Sequence, residues 1–163
     1  MDSFNSENKN RRLAVVGDKS IEYSFIAYGK PAPQGSKRHV GNGVLIESSK
    51  YVKQWRKQVK AAAQLARPHG WNPYLPMDLH AQFLFNRPKS HYRTNGSLKP
   101  TAPSHCVTRI GDLDKLIRAI AGALTDVAYQ DDSQIINIKT TRRYARPTEQ
   151  QGAIISLRAN QSP

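Results

Sequence analysis

Apolar residues that alternate with polar ones predict four strands. Residues 21–28 (IEYSFIAY) are rich in β-branched and aromatic side chains, which favour a strand. Residues 77–85 alternate apolar and polar positions, as is typical of a half-buried strand. Residues 134–140 alternate again, and residues 153–158 follow the turn sequence PTEQQG. Because the last two strands are close in sequence, we expect them to pair as a hairpin.

Two segments show the apolar spacing of amphipathic helices. Residues 49–67 predict a first helix, with Ser48 or Ser49 as its cap. Residues 114–125 predict a second helix. Before the first helix lie a Pro- and Gly-rich basic turn, GKPAPQGSKR, and the segment VGNGVLI, which predicts a tight hairpin.

The order of these elements predicts the fold class. Strand, helix, strand, helix, strand, strand is typical of an α/β (α+β) protein, here one compact domain over residues 20–160. We expect a mixed sheet of about four strands with two main helices. Residues 1–19 are polar and lack periodicity, so they predict a flexible N-terminal tail. Residues 87–110 form a long polar loop, and loops of that length are usually functional or disordered.

The charge of the chain is the first indication of function. Twenty-five Lys and Arg against twelve Asp and Glu give a net charge of +13. Such a basic domain is expected to bind a polyanion, usually nucleic acid, although a generic basic or ribosome-associated protein is the alternative. The chain contains no apolar run near the roughly 20 residues that cross a bilayer. The polar start MDSFNSENKNRR and the single cysteine, Cys106, predict a cytoplasmic protein.

The acidic residues are clustered rather than spread. Residues 80–111 contain no Asp or Glu, and five of the twelve acids then follow at Asp112, Asp114, Asp126, Asp131 and Asp132. A protein that attracts phosphates weakens its own field by clustering carboxylates. The arrangement is explained if the cluster holds a cation.

The spacing of these acids predicts where they meet. In extended backbone, positions two apart point the same way, so Asp112 and Asp114 can reach one point. The predicted helix that follows leads back to Asp131 and Asp132 at the start of the next strand. One of these two residues can therefore lie close to Asp112 and Asp114. Carboxylates are ligands that Mg²⁺ prefers. The alternative is structural: Asp114 caps the helix, Asp112 favours its dipole and the later pair forms a turn.

The acidic segment resembles the signature of a known family. DLDKLIRAIAGALTDVAYQDDSQI is similar to the pattern D-x-D-N-x-x-K, then D-A-L-T, then D-D-x-Q followed by Val or Ile, of RusA Holliday-junction resolvases. With the Pro- and Gly-rich turn, the resemblance covers most of residues 21–158. It implies a RusA-like fold and a homodimeric, Mg²⁺-dependent endonuclease that acts on four-way or branched DNA.

The resemblance also implies the metal ligands. Asp112, Asp114 and Asp132 correspond to the essential acids of the family, and Mn²⁺ is expected to substitute for Mg²⁺. Asp132 is preferred over Asp131 because the family residue precedes x-Q. Asp131 is then expected to support the site.

Three positions depart from the family pattern. Lys115 replaces the usual Asn, Arg118 the usual Lys, and Gly122 a frequent Asp before A-L-T. A guanidinium neutralises phosphate charge but is a poor proton donor, which puts a general-acid role of Arg118 in doubt. We therefore expect Arg118 and Lys115 together to stabilise the transition state.

Basic residues outside the acidic segment are candidates for phosphate contact. They lie in the turn, the first helix and the long loop: Lys37, Arg38, Lys53, Lys57, Lys89 and Arg93. A solvated helix face or a mobile loop with incidental charge is the alternative. For the whole protein, the alternatives are a non-catalytic nucleic-acid-binding protein of the same fold and a metal nuclease for flaps or RNA.

The charge predicts the salt dependence of DNA binding. If about six phosphates are neutralised, log K should fall with log salt at a slope of about −5, because condensed counterions are released. Filter binding of a four-way junction between 50 and 300 mM KCl measures the slope. A slope near zero would contradict a polyelectrolyte interaction.

Overall fold

The computed structural model describes residues 12–16, 20–35, 37–39, 41–43, 45–47, 51–107 and 110–161. Its strands are β1 (Arg12–Val16), β2 (Ser20–Tyr28), β3 (Lys37–His39), β4 (Leu45–Glu47), β5 (Met77–Phe85), β6 (Ile135–Tyr144) and β7 (Gly152–Ala159). Its helices are α1 (Val52–Ala66) and α2 (Leu113–Leu124), with short 3-10 turns at Lys89–His91 and Asp132–Gln134. Within these ranges, neither helix has the length and apolar character needed to cross a membrane.

A mixed sheet is the centre of the fold. Its strand order is β1-β2-β7-β5-β6, and all pairs are antiparallel except β5 with β6. The four predicted strands are present, and β3 and β4 form the predicted separate hairpin. The predicted class, one compact α+β domain with a mixed sheet and two main helices, is confirmed.

One face of the sheet carries the hydrophobic core. Tyr23, Leu157 and Leu79 are paired neighbours across β2, β7 and β5, and all three are buried. The helices cover this face with buried side chains at helical spacing, such as Trp55 on α1 and Leu116 on α2. The opposite face is more polar, as shown by the 2.7 Å hydrogen bond between the Ser24 and Ser156 hydroxyls. The domain therefore has two layers, and α2 lies on the covered side.

The prediction that β6 and β7 form a hairpin is wrong, because β5 lies between them. At the end of β5 three consecutive residues, Phe83, Leu84 and Phe85, are buried, so this strand is buried from both sides and takes an interior position. In β6, five of the six positions from Ile136 to Thr141 are exposed, and Thr140 is the exception. A polar strand of this kind belongs at a sheet edge.

Two predictions near the N-terminus also need correction. The flexible tail predicted for residues 1–19 is wrong for Arg12–Val16, which form β1 and pair with β2. The short run RLAVV has the branched side chains that favour a strand once an edge is available. The rest of that tail lies outside the described residues.

Helix α1 begins at Val52, whereas the sequence predicted a start at residue 49. Its N-cap residue, Tyr51, makes no side-chain cap hydrogen bond. The predicted cap residues Ser48 and Ser49 lie outside the described residues.

An ion pair fixes the connection between β6 and β7. Both terminal nitrogens of Arg143 donate to the Glu149 carboxylate at 2.7 Å, and Arg143 Nε also donates to Gln82 Oε1. The hydrogen bond from Arg143 and that from the Arg146 backbone N–H lower the pKa of Glu149 to about 2. The Glu149 side chain is 24% exposed, so solvent screens the pair only in part.

This ion pair predicts a pH-dependent stability difference. Folding lowers the pKa of Glu149, so its ion pair with Arg143 stabilises the folded state fully above pH 4.5. This contribution to the free energy of unfolding is lost as the pH falls through about 2. Glu149→Gln should lower Tm by about 2–4 °C at pH 7. Calorimetry of both proteins from pH 7 to pH 2.5 should show the difference shrinking in acid. A difference that stays constant over this range would contradict the assignment.

Candidate active site at the start of helix α2

Two carboxylates stand at the amino end of α2. Asp112 occupies the N-cap position in extended conformation, yet its side chain makes no capping hydrogen bond and is 77% exposed. Asp114 follows in the first turn and is also exposed. The N-cap is thus Asp112, whereas the structural alternative to a metal site places Asp114 there. Neither carboxylate is used by the cap, and both lie where the helix dipole favours negative charge.

The start of α2 is held by contacts from two other elements. Arg142 on β6 donates a 2.7 Å hydrogen bond to the carbonyl of Gly111. The Gln34 backbone N–H, in the Pro- and Gly-rich turn, donates to the Lys115 carbonyl at 3.0 Å. Gly111 has a φ of +150°, and a Cβ added there would lie 2.6 Å from Pro33 Cβ. The turn and the helix therefore pack so closely that only glycine fits at Gly111.

Two basic side chains flank the carboxylates. Lys115 Nζ lies 3.8 Å from Asp112 Oδ2, and the Lys115 side chain is 36% exposed. Arg118 is four residues after Asp114, which places both on one side of the helix. A Cβ added to Gly35 would lie 2.6 Å from Arg118 Nη1, so this guanidinium lies against the glycine of the turn. The first two turns of α2 thus carry two acids followed by two bases.

Arg56 is a further component that the sequence pattern indicated only as part of a basic helix face. Its Nη1 donates to Gln34 Oε1 at 3.0 Å, linking α1 to the turn. A Cβ added to Gly122 would lie 3.0 Å from Arg56 Nη2. The glycine at this departure from the family pattern therefore leaves room for an arginine that crosses from α1 to α2.

Asp131 has a structural partner. Its Oδ1 accepts from the Ser133 backbone N–H at 2.8 Å, and Gln134 Oε1 accepts from the Asp131 N–H at 3.0 Å, which completes a capping box. These bonds to Ser133 lower the pKa of Asp131. Gln134 in turn donates to the carbonyls of Pro73 and Leu75. The turn before β6 is therefore tied to the start of β5.

Asp132 lies beside the other end of α2. The Tyr129 hydroxyl donates to the Ala121 carbonyl at 2.7 Å, and the Asp132 charge, after burial, raises the pKa of Tyr129. Asp132 is itself exposed. Ala121 is seven residues beyond Asp114, which corresponds to about 10 Å along the helix. The later acid therefore faces the second half of the helix.

The structure does not group Asp112, Asp114 and Asp132 of one chain at a single point, and their role as metal ligands stays a prediction. The residues that the structure describes include no group of three His, Cys, Asp or Glu side chains able to hold a metal ion. The reason is that α2 runs from one end of β6 to the other and separates the two acidic sites by its length, about 18 Å for its 12 residues. Asp112 and Asp114 remain as a pair, and Mg²⁺ is commonly bound by one or two carboxylates together with water and substrate phosphates.

The candidate DNA-contacting residues lie at separate places. Lys53 and Lys57 are exposed on α1 and line a surface groove of about 650 Å³ with Gln54, Gln58 and Ala61. Lys89 and Arg93 are exposed in the long loop. Lys37 and Arg38 belong to β3, and their side chains lie outside the described residues.

The described part of the long loop, residues 87–107, is folded back on itself. The Arg93 N–H donates to the Ser97 carbonyl, and Lys99 Nζ donates to the Ser90 carbonyl. Arg87 donates to the Pro103 carbonyl and lies 4.3 Å from the ring centre of Tyr144 at the end of β6. These contacts fix the loop at the same end of β6 as Asp112.

Comparison with known proteins agrees with this architecture. The family model Endodeoxyribonuclease RusA matches residues 28–155, which include the turn, both helices and the acidic segment. The uncharacterized protein YqaN of Bacillus subtilis (strain 168) is 25% identical over 130 residues, covering 74% of this chain and 87% of that protein. The family match extends over most of the chain and contains every element that builds the site. The chain therefore belongs to the RusA endodeoxyribonuclease family.

Proposed function

We propose that this protein is a Mg²⁺-dependent endonuclease that resolves Holliday junctions or similar branched DNA by symmetric phosphodiester hydrolysis, in DNA recombination and repair. RusA proteins are endodeoxyribonucleases that resolve such junctions, and this chain is one of them. The observation that supports the proposal most is the exposed carboxylates Asp112 and Asp114 at the start of α2, flanked by Lys115 and Arg118. We place the protein in the cytoplasm of a bacterial or phage-infected cell, where its DNA substrate is.

In the proposed mechanism, Asp112 and Asp114 hold the divalent ion, with Mn²⁺ as a substitute. A bound ion would supply positive charge to the scissile phosphate and would favour ionisation of a water molecule. Arg118 stabilises the charge that develops on the phosphate, and its guanidinium stays protonated throughout. Lys115 lies beside Asp112 and donates a proton or a hydrogen bond to the leaving oxygen. Arg142 positions the pair through Gly111.

The basic residues of other elements bind the DNA arms in this proposal. Lys53 and Lys57 on α1 and Lys89 and Arg93 in the loop contact phosphates, as do Lys37 and Arg38 of β3. Since no acidic residue interrupts residues 80–111, the loop presents an unopposed positive surface. The first test is cleavage of a synthetic four-way junction and of a linear duplex of the same sequence, each with and without Mg²⁺. Equal cleavage of both substrates would contradict junction specificity.

Removing one charge at either carboxylate should abolish cleavage. Asp112→Asn and Asp114→Asn should each lower the junction cleavage rate about 100-fold or more, because the ion loses a ligand. Junction binding without metal should be unchanged or tighter, because a carboxylate near a phosphate repels it. Gel-shift binding and single-turnover cleavage measure the two effects.

Asp126→Asn is the matched control, because Asp126 is exposed beyond the other end of α2. Its φ of +67° is tolerated by Asn, so this variant should fold and cut normally. Asn caps helices as well as Asp, so a purely structural role of Asp112 predicts full activity for Asp112→Asn. Full cleavage by both variants at the start of α2 would therefore exclude the proposed site.

Arg118→Ala should slow cleavage by about 100-fold, because one cationic donor at a developing phosphate charge is worth about 3 kcal/mol. Junction binding should weaken far less. Lys60→Ala removes the same charge from an exposed position of α1 and should leave the rate unchanged. Single-turnover cleavage at saturating protein separates the two effects. A normal rate for Arg118→Ala would exclude this residue from the mechanism.

A further inference from the structure

The outward face of α2 carries one stripe of positions beyond the carboxylates at its start. Asp114, Arg118 and Gly122 follow one another at intervals of four residues, so they lie in a row along the helix. Leu116 and Ile120, which pack toward the sheet, are fully buried, whereas Asp114 and Arg118 are exposed. The stripe is therefore the part of α2 that an approaching DNA strand can meet.

Arg56 of α1 supplies a charged group at the end of this stripe, where Gly122 has no side chain. A Cβ added to Gly122 would lie 3.0 Å from Arg56 Nη2, so the guanidinium occupies the space in which a side chain would begin. Arg56 is only partly buried. The stripe thus leads from the carboxylate of Asp114 to the guanidinium of Arg118 and then to that of Arg56.

The Pro- and Gly-rich turn holds both guanidiniums. Arg56 Nη1 donates to Gln34 Oε1 at 3.0 Å, and a Cβ added to the next residue, Gly35, would lie 2.6 Å from Arg118 Nη1. Two consecutive residues of the turn therefore each contact one arginine. The turn is itself fixed to α2, because the Gln34 N–H donates to the Lys115 carbonyl at 3.0 Å. One short segment thus sets the position of both guanidiniums over the helix.

Most hydrogen-bond donors of these two arginines have no acceptor within the described part of the chain. A guanidinium carries five N–H donors. Among the described residues, Arg56 donates only to Gln34, and Arg118 makes no side-chain hydrogen bond. The ion pairs of the described residues join other groups, so no carboxylate there neutralises either arginine. Two like charges about one helical turn apart repel each other, and bound anions remove this cost.

We propose that Arg56 binds a second phosphate of the DNA strand that is cut, directly next to the scissile phosphate at Arg118. The proposal rests on the proposed function, because both phosphates belong to the strand that is hydrolysed. A guanidinium binds phosphate through two parallel hydrogen bonds, so Arg56 can hold one phosphate while it keeps its contact with Gln34. The DNA strand then has a defined path along α2.

The spacing of the stripe fits consecutive phosphates of one strand. Side chains four residues apart on a helix have Cβ atoms about 5–6 Å apart. Phosphates of one DNA strand rise about 3.4 Å per nucleotide along the DNA axis and also wind around it, so their direct separation is larger and of the same order. Arg118 and Arg56 can therefore each take one phosphate. The second contact holds the scissile bond over the carboxylates.

Neutral methylphosphonate linkages test this contact one phosphate at a time. Four-way junctions are made with one such linkage at successive positions on both sides of the cut, which is mapped with the wild-type protein and Mg²⁺. Binding is measured by gel shift without metal. At one phosphate adjacent to the cut, the wild type should lose about 10-fold in affinity, because a charge-assisted contact is removed. Arg56→Ala should lose about 2-fold or less there, since its contact is already absent.

Lys60→Ala is the matched control, because it removes the same charge from an exposed position one turn further along α1. It should respond to each neutral linkage as the wild type does. The side of the cut on which Arg56→Ala differs from the wild type gives the direction of the strand along α2. Equal sensitivity of Arg56→Ala and the wild type at every linkage would overturn the second phosphate contact, as would a difference confined to the scissile linkage.

Gly122 offers a second test that leaves Arg56 in place. Gly122→Asp brings a carboxylate within reach of Arg56 Nη2, so the new ion pair should neutralise the site. Junction affinity should fall about 10-fold, and the slope of log K against log salt should become shallower by about 1. Gly122→Asn has nearly the same shape without the charge and should keep the wild-type slope. Equal slopes for the three proteins would overturn the proposal.

Thermal unfolding separates this contact from a purely structural role of Arg56. If Arg56 only links α1 to the turn, Gly122→Asp should bind DNA as Gly122→Asn does. The proposed contact instead predicts weaker binding by a protein whose Tm is equal to or higher than that of Gly122→Asn, because an ion pair has been added. A wild-type protein that binds junctions but does not cut them with Mg²⁺ would overturn the proposed function. Normal cutting, with Arg56→Ala matching the wild type at every linkage, would overturn only the second phosphate contact.

Discussion

The parallel pairing of β5 with β6 is the constraint on which the rest of the site depends. Parallel neighbours cannot be joined by a short turn and need a crossover of a dozen or more residues. The crossover here contains the long loop and then α2, which packs over the sheet with Leu116 and Ile120 fully buried. The helix therefore starts at one end of the strand pair and ends at the other. Any residue group split between its two ends is separated by its whole length.

The fold was predictable wherever one element had a clear pattern. The alternation of β5 and the apolar stripe of α2 placed both elements within one or two residues. The order of the strands in the sheet was harder to predict from the sequence. Closeness in sequence suggested that β6 pairs with β7, whereas the burial of Phe83 to Phe85 gives β5 the place between them. Similarly, β1 is too short to stand out from a polar segment, and it exists because β2 offers it an edge.

The candidate site, like the fold, was predictable from the sequence only in part. The D-x-D spacing and the basic residues that follow it were visible in the sequence, because all four lie within two turns of one helix. The supports of that helix were not visible, since Arg142 and Gln34 act through backbone carbonyls and an amide that no side-chain pattern reveals. The separation of Asp132 from Asp112 and Asp114 within one chain has the same origin. A helix returns the chain to the sheet, but it returns it at the far end.

The electrostatics explain why an acidic pair is tolerated in a chain of charge +13. Without a cation, two adjacent carboxylates repel each other, and the structure offsets this with the dipole of α2, with Lys115 near Asp112 and with Arg118 one turn further on. The same groups weaken the attraction of the pair for a free divalent ion. A phosphate that approaches Lys115 and Arg118 removes that competition and adds an oxygen ligand of its own. Metal and DNA should therefore bind with positive cooperativity, since each lowers the electrostatic cost of the other.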